Sequence, residues 1–447
     1  MKRYFIETYG CQMNRHDSEI LSGLLENMGF QPAQSPDRAD LVLLNTCTVR
    51  EKAAERIFGR AGQLARIKKR NPDALLGICG CLPQQRGMVE RLLKRAPAVD
   101  LVMGPEQLPL LPQLVERFKA GERPVIATGV DFKARRLTEE PLPRVREKGP
   151  GAWVTIMVGC SNFCAYCVVP YTRGPARSRQ PDNIIQEVRE LADRGFVEIT
   201  LLGQNVNAYG LDLDEPYGFV DLLVALDRIP GLERIRYTTS HPRDFSREIV
   251  EAVRDLPRVC EHFHLPVQAG SNRVLDLMNR GYTRQHYLEL AQYIRDQVPD
   301  SSITTDLMVG FPGETEDDFQ ETLDLCRKVE FDGAFTFIYS PRKGTRAWHL
   351  ENEVPLEEKK DRLNRLMETL HPIHLERNRQ LEGQVLEVLV EGVSDKDPRV
   401  LTGRTRSNRI LLFSGSDPTP RLVQVRVDQA GTWSLKGEQI SEGAEND

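Results

Sequence analysis

Three cysteines within eight residues, Cys160, Cys164 and Cys167, stand directly after a predicted strand at residues 152–158 and head a long series of β–α units. Further strands are predicted at 198–202, 234–238, 262–266, 302–309 and 333–338, with helices at 183–194, 245–255 and 316–328 between them. Repeated β–α units on this scale fold into a barrel or partial barrel, with the chemistry at the C-terminal ends of the strands. The cysteines occupy such an end.

Their spacing, C-x3-C-x2-C, restricts what they can hold. A [4Fe–4S] cluster ordinarily takes four thiolates. Three close together bind three irons and leave the fourth open to a chelating substrate. The competing reading is a structural zinc loop. Zinc closes with four ligands, and His241, His262 and His264 are distant in sequence. The chain has nine cysteines, an odd number, and its start is too polar for a secretion signal, so clustered metal ligands are expected rather than disulfides. A cytoplasmic, reducing setting follows as the expectation. No apolar run approaches the roughly 18–20 residues of a membrane span, so no membrane association is expected.

At 447 residues the chain exceeds a single core, and its pattern divides it. Residues 1–132 alternate strands (41–44, 74–79 and 100–103) with a charged helix at 49–70, the pattern of a parallel α/β domain. Cys11, Cys47 and Cys81 each follow a predicted strand there, so one sheet edge can gather them despite their separation in sequence. Cys79 alternates with Cys81 and should face the opposite side; Cys79, Cys260 and Cys326 read as core residues. Residues 133–150 are a Pro- and charge-rich joint, 151–379 form the barrel domain, 380–442 read as a small all-β barrel, and 443–447 as a frayed tail.

The triad resembles that of the radical S-adenosylmethionine superfamily, in which the amino and carboxylate groups of the methionine moiety fill the open iron position. Tyr166, the aromatic residue before the last cysteine, matches the same pattern and would lie near the adenine. The resemblance extends to the turn of Leu201-Leu-Gly-Gln-Asn-Val, where the superfamily often binds the methionine part. His264-Leu-Pro-Val-Gln-Ala-Gly and Asp306-Leu-Met-Val-Gly-Phe-Pro-Gly-Glu end two more strands with glycines that admit a ligand. Gly203, Gln204, Gln268 and Gly310 are the candidate cofactor contacts.

Tyr9-Gly-Cys-Gln-Met-Asn-Arg-His-Asp-Ser-Glu19, the triad, and Val168-Val-Pro-Tyr-Thr-Arg-Gly174 with Ser178-Arg179 resemble the methylthiotransferase family over nearly the whole chain. Gln-Met-Asn after Cys11 is similar to the tRNA branch rather than the branch that modifies an aspartate of a ribosomal protein. Pro175-Ala176-Arg177 departs from the family, which often has an acidic residue near position 176. The resemblance implies that Cys160, Cys164 and Cys167 hold the catalytic [4Fe–4S] cluster with S-adenosyl-L-methionine, and that Cys11, Cys47 and Cys81 hold a second [4Fe–4S] cluster. It implies a C-terminal TRAM barrel for RNA, a tRNA carrying N6-dimethylallyladenosine as substrate, an electron donor such as flavodoxin or ferredoxin, and an iron–sulfur or sulfur donor protein. The expected reaction is methylthiolation of adenine C2. With a net charge of −5 the chain is not broadly basic, but residues 399–426 carry six arginines and one acid. Arg404, Arg406 and Arg409 are therefore candidate RNA contacts, against the alternative of a solvated charged face. A protein aspartate, threonylcarbamoyladenosine in tRNA, and a non-catalytic iron–sulfur carrier are the rival functions.

Overall fold

The computed structural model describes residues 1–48, 51–132, 142–146, 149–415 and 417–440, the side chains of residues 51–54 excepted. Most of the expected 133–150 joint and the whole 443–447 tail lie outside them. The first layer is a six-stranded sheet of β1 (Arg3–Tyr9), β2 (Gln31–Pro32), β3 (Leu41–Thr46), β4 (Leu75–Gly80), β5 (Leu101–Met103) and β6 (Val125–Ala127). All its pairings are parallel, in the order β2-β1-β3-β4-β5-β6. β3 and β4 are buried throughout because helices cover both faces, which is why they read as unbroken apolar runs. Leu41, Leu43, Leu75 and Cys79 face one core with Leu21 and Leu25; Val42, Leu44, Leu76 and Ile78 face the other with Ile57 and Leu92. The expected helix at 49–70 is a helix over Glu51–Leu64 followed by a short one over Ile67–Arg70.

The central part contains β7 (Gly151–Thr155), β8 (Met157–Val158), β9 (Arg177–Ser178), β10 (Glu198–Leu202), β11 (Arg234–Tyr237), β12 (His262–His264), β13 (Ser302–Val309) and β14 (Gly333–Ile338). Two parallel sheets, β7-β10-β11 and β12-β13-β14, are joined by a parallel bridge between Ile235 and Val259, giving an open arc of six strands. The strand expected at 152–158 divides at Ile156, and β8 pairs antiparallel with β9. Helices such as Pro181–Asp193, Arg284–Gln297 and Glu316–Val329 pack on the outer face over Ile199, Ile235, Phe263, Ile303 and Leu307. The alternate residues of β13, Thr304, Asp306 and Met308, face the interior, in register with Gly333, Phe335 and Phe337 of β14.

A long helix, Leu356–Arg379, leads to a closed barrel of β15 (Val385–Val393), β16 (Val400–Thr405), β17 (Ile410–Ser414), β18 (Leu422–Ala430) and β19 (Leu435–Gln439), in the order β15-β16-β17-β19-β18. Val388, Val390, Leu401, Leu411, Phe413, Val425 and Val427 fill it. This barrel seals the N-terminal mouth of the open arc. Arg234, which opens β11, donates to the Arg404 carbonyl (2.8 Å). Arg236 donates to the carbonyls of Thr405 (2.7 Å) and Arg406 (2.8 Å), and the hydroxyl of Ser302, which opens β13, donates to the Ser407 carbonyl (2.6 Å). Among the described residues no helix is long and apolar enough to cross a membrane.

Candidate functional site

The triad loop begins at the end of β8 with a bend that only glycine accommodates. Gly159 has φ +83°, and a Cβ there would lie 2.0 Å from the Pro175 carbonyl oxygen. Its N–H donates to Gln204 Oε1 (2.5 Å), so the turn after β10 holds the loop in place. Between the first two cysteines Phe163 is left-handed, φ +47°, and Asn279 Nδ2 fastens the reversal through the carbonyls of Asn162 (3.3 Å) and Phe163 (3.0 Å). Ala165 N–H donates to the Met278 carbonyl and the Ala165 carbonyl accepts from Ala347, both at 2.8 Å. The loop is thus fixed from three sides.

Cys160, Cys164 and Cys167 lie within electrostatic reach of one another. Burial and the neighbouring cysteines push the Cys160 thiol up and the Cys167 thiol up to about 12. Cys164 Sγ accepts from Arg280 Nη1 at 3.3 Å and lies 3.8 Å from His241 Nε2. His241 Nδ1 accepts from the Arg243 N–H, which leaves the Nε2 proton facing the sulfur. Burial, with Arg280 beside it, pushes that imidazole down to about 2, so it is a neutral donor. Buried thiolates that repel one another are stable only beside compensating positive charge, and the donor set therefore fits a cationic iron centre. His241 does approach the triad, yet among the described residues no three His, Cys, Asp or Glu side chains converge to hold a single ion.

Tyr166 OH lies 3.3 Å from Arg280 Nη1, beside the triad. Gln268 is left-handed, φ +75°, with its N–H on the Asp306 carbonyl (2.9 Å) and its carbonyl accepting from Met308 (2.8 Å); its backbone extends the β12 end against β13. Gly203 packs against Met157, where a Cβ would come within 2.7 Å of Cγ. Gly310 packs against the stem of Lys359, whose Cγ would be 2.3 Å from an added Cβ.

The second set arises from strand register. Tyr9 pairs with Thr46 and Thr46 with Gly80, so Cys11, Cys47 and Cys81 leave neighbouring strands at one level. Asn14, wholly buried, ties their loops together. Its Nδ2 donates to Asn45 Oδ1 and to the Thr46 carbonyl, both at 3.2 Å, and its own carbonyl accepts from Asn45 Nδ2 at 2.7 Å. Gly10 has no room for a side chain: a Cβ would lie 2.7 Å from Cys47 Cβ. Cys11 caps the helix Gln12–Asn27. A hydrogen bond with Cys47 lowers its thiol to about 6, against burial and with help from Arg173. Burial raises the Cys81 thiol, while Arg173 opposes that shift. Three cysteines beside one fixed cation fit a second iron–sulfur centre. Cys79, Cys260 and Cys326 are buried, Cys79 and Cys326 within apolar cores, although Cys79 stays within electrostatic reach of Cys81.

The sequence did not single out Arg173, Asp17 and Arg280, and it offered His241 only as a distant zinc ligand. Arg173 and Asp17 lie inside quoted motifs, and a charged residue a few positions from a cysteine ligand was the available cue. Arg280 and His241 reach the triad only through the closure of the arc, and no local signal marks them.

The three arginines named as candidate RNA contacts each pair with a carboxylate. Arg406 pairs with Glu261 (2.7 Å) and donates to the Val259 carbonyl (2.9 Å). Arg409 pairs with Asp332 (2.6 Å), and Arg404 with Glu391 (3.0 Å) in its own barrel. The loop that carries them closes the open arc because the backbone carbonyls of 404–407 cap its strand ends, and the guanidinium groups follow the backbone inward.

Family models match the chain in three segments: the radical SAM superfamily over residues 154–326, the uncharacterized protein family UPF0004 over 3–104, and the TRAM domain over 379–440. The chain is 52% identical over 440 residues to the tRNA-2-methylthio-N(6)-dimethylallyladenosine synthase of Moorella thermoacetica, covering 98% of each. It is 50% identical over 443 residues to that of Desulforamulus reducens, covering 99% of this chain and 96% of the relative. Among solved structures, the radical S-adenosylmethionine methyltransferase TsrM from Kitasatospora setae shares the fold, with a TM-score of 0.57 at 14% identity, over 87% of this chain and 77% of that one. An open parallel barrel with three cysteines after its first strand defines a radical S-adenosylmethionine enzyme. More narrowly, the chain belongs to the tRNA-2-methylthio-N(6)-dimethylallyladenosine synthase family.

Proposed function

We propose that this chain transfers a methylthio group to C2 of N6-dimethylallyladenosine in tRNA, with S-adenosylmethionine as radical source and methyl donor, a [4Fe–4S] cluster on Cys160, Cys164 and Cys167, and a second on Cys11, Cys47 and Cys81. The observation that carries the reading is the facing of the two cysteine sets across one domain boundary: Arg173, six residues after Cys167, reaches the sulfur of Cys81 at 3.2 Å. Clusters held by the two cysteine sets would both face this boundary, where one base could reach them.

The target C–H bond lies beyond any side-chain base. When bound, the clusters and S-adenosylmethionine supply the radical chemistry and the sulfur that the reaction needs. The protein's own groups do the rest. Gly159, Gln204 and Asn279 hold the triad loop, and Arg280 and His241 direct donors at Cys164. Tyr166 is held by Arg280 beside the triad, where it can line the nucleoside half of the cofactor. The inner face of β14 offers apolar surface for the prenylated base: Phe335 is 63% and Phe337 39% exposed, and the Phe335 ring meets His264 with centroids 6.1 Å apart. A base in a single-stranded loop leaves its stack for a few kcal/mol, about what aromatic stacking returns. Electrons come from a flavodoxin- or ferredoxin-type donor, and the sulfur is renewed by an iron–sulfur donor protein.

The test uses reconstituted protein, reductant, S-adenosylmethionine with a labelled methyl group, and an anticodon stem-loop bearing N6-dimethylallyladenosine. Label in 2-methylthio-N6-dimethylallyladenosine supports the reading. Formation of 5′-deoxyadenosine with no modified RNA overturns the substrate.

A further inference from the structure

The Arg173 side chain links the segment that follows the triad to the other cysteine set. It ends the short helix Val169–Arg173 that leaves the triad, yet it is 5% exposed and buried in the other site. Its Nε donates to Cys81 Sγ at 3.2 Å, and its Nη2 to Asp17 Oδ2 at 2.6 Å. Asp17 belongs to the helix that Cys11 caps, so the guanidinium fork joins two of the three cysteine-bearing segments to a residue of the radical domain. The pairing with Asp17, itself 4% exposed, is what allows the cation to be buried. Arg177 secures the same segment by donating to the Arg173 carbonyl (3.3 Å) and pairing with Glu106 of the first domain.

We propose that Arg173 is a positioning residue that raises the reduction potential of the cluster at Cys11, Cys47 and Cys81, so that this site reaches its working potential only when the radical domain is docked against it. This rests on the reading that the three cysteines hold a cluster. Reduction adds negative charge to a cluster and its thiolate sulfurs. A fixed cation whose N–H points at one of those sulfurs stabilises the reduced state more than the oxidised one, because hydrogen bonds and net charge around the sulfurs set such potentials. Planar geometry matters as much as charge. The fork engages the sulfur and the carboxylate together, which a lysine ammonium at the end of a flexible stem does not reproduce.

The experiment is redox titration followed by electron paramagnetic resonance on full-length reconstituted protein in which Cys160, Cys164 and Cys167 are all alanine, so that only the second cluster is seen. Arg173→Gln and Arg173→Lys are compared with Arg173 in that background, each with its iron and sulfide content measured. The proposal expects a lower midpoint potential in both variants, with the larger fall in Arg173→Gln and the iron content retained. A potential equal to that of the Arg173 parent, at full iron content, overturns it. If Arg173→Gln does not hold a cluster, Arg173→Lys decides by the same criterion. Absence of any cluster from the parent itself would instead remove the underlying reading of Cys11, Cys47 and Cys81.

Discussion

Arg409 Nη2 of the closed barrel lies 2.6 Å from Asp332 Oδ1 of the open one. Asp332 is 1% exposed at its side chain and also pairs with Arg295 (2.6 Å) and Arg377 (3.0 Å), while its Oδ2 accepts from the Ile303 N–H (2.8 Å). One carboxylate thus joins the turn before β17, the long helix and the N-terminal end of the arc. Asp332→Asn leaves three buried cations without their shared partner, and a loss of roughly 3–5 kcal/mol in unfolding free energy is expected, read by urea unfolding at neutral pH.

The same contact sets a pH dependence. Burial alone would raise the Asp332 carboxyl, but Arg409, Arg295 and Arg377 hold it down to about 2. A depressed carboxyl contributes stability above its unfolded value, about 4, and loses it as pH falls through the folded value. The stability difference between the native chain and Asp332→Asn should stay constant above about pH 5 and shrink between about pH 4 and 2. Urea unfolding across that range measures it, and a constant difference would deny the carboxylate its part.

Arg409→Ala should lower the melting temperature and leave the slope of log RNA affinity against log salt unchanged, because its guanidinium is occupied by Asp332. A true phosphate contact would reduce that slope by about 1. Fluorescence anisotropy with an anticodon stem-loop at several salt concentrations separates the two.

Gly159→Ala places a Cβ 2.0 Å from the Pro175 carbonyl oxygen in a left-handed backbone. It should lose the cluster at the triad and keep the one at Cys11, Cys47 and Cys81. About half the iron and no 5′-deoxyadenosine is the expected result. Loss of all iron would mean that the two sites do not assemble independently.

Phe335→Ala removes an exposed ring, so its melting temperature should stay within about 1 °C of the native value, the shift expected for a surface change of a few tenths of a kcal/mol in a chain of this size. Its KM for RNA bearing the dimethylallyl group should rise about tenfold, the scale of one lost base–aromatic stack. Steady-state kinetics against RNA concentration checks this.

The β–α order was legible because short segments rich in apolar and β-branched residues stand between helical stretches, and 198–202, 302–309 and 333–338 fall where β10, β13 and β14 lie. The convergence of Cys11, Cys47 and Cys81 was legible for a related reason: parallel strands with equal register deliver their following residues to one edge. The ion pairs that Arg406 and Arg409 make with the central domain were not. A basic stretch looks the same in sequence whether it faces phosphate or the carboxylates of another domain, and Glu261 and Asp332 are more than 70 residues from their partners.

The central claim is tested most directly by mass spectrometry of the nucleosides of total tRNA from cells with and without this gene, in a host that has no other enzyme of the family. The account predicts that 2-methylthio-N6-dimethylallyladenosine disappears and N6-dimethylallyladenosine accumulates when the gene is lost, and that the native gene reverses both while Cys160→Ala does not. An unchanged nucleoside profile would contradict it.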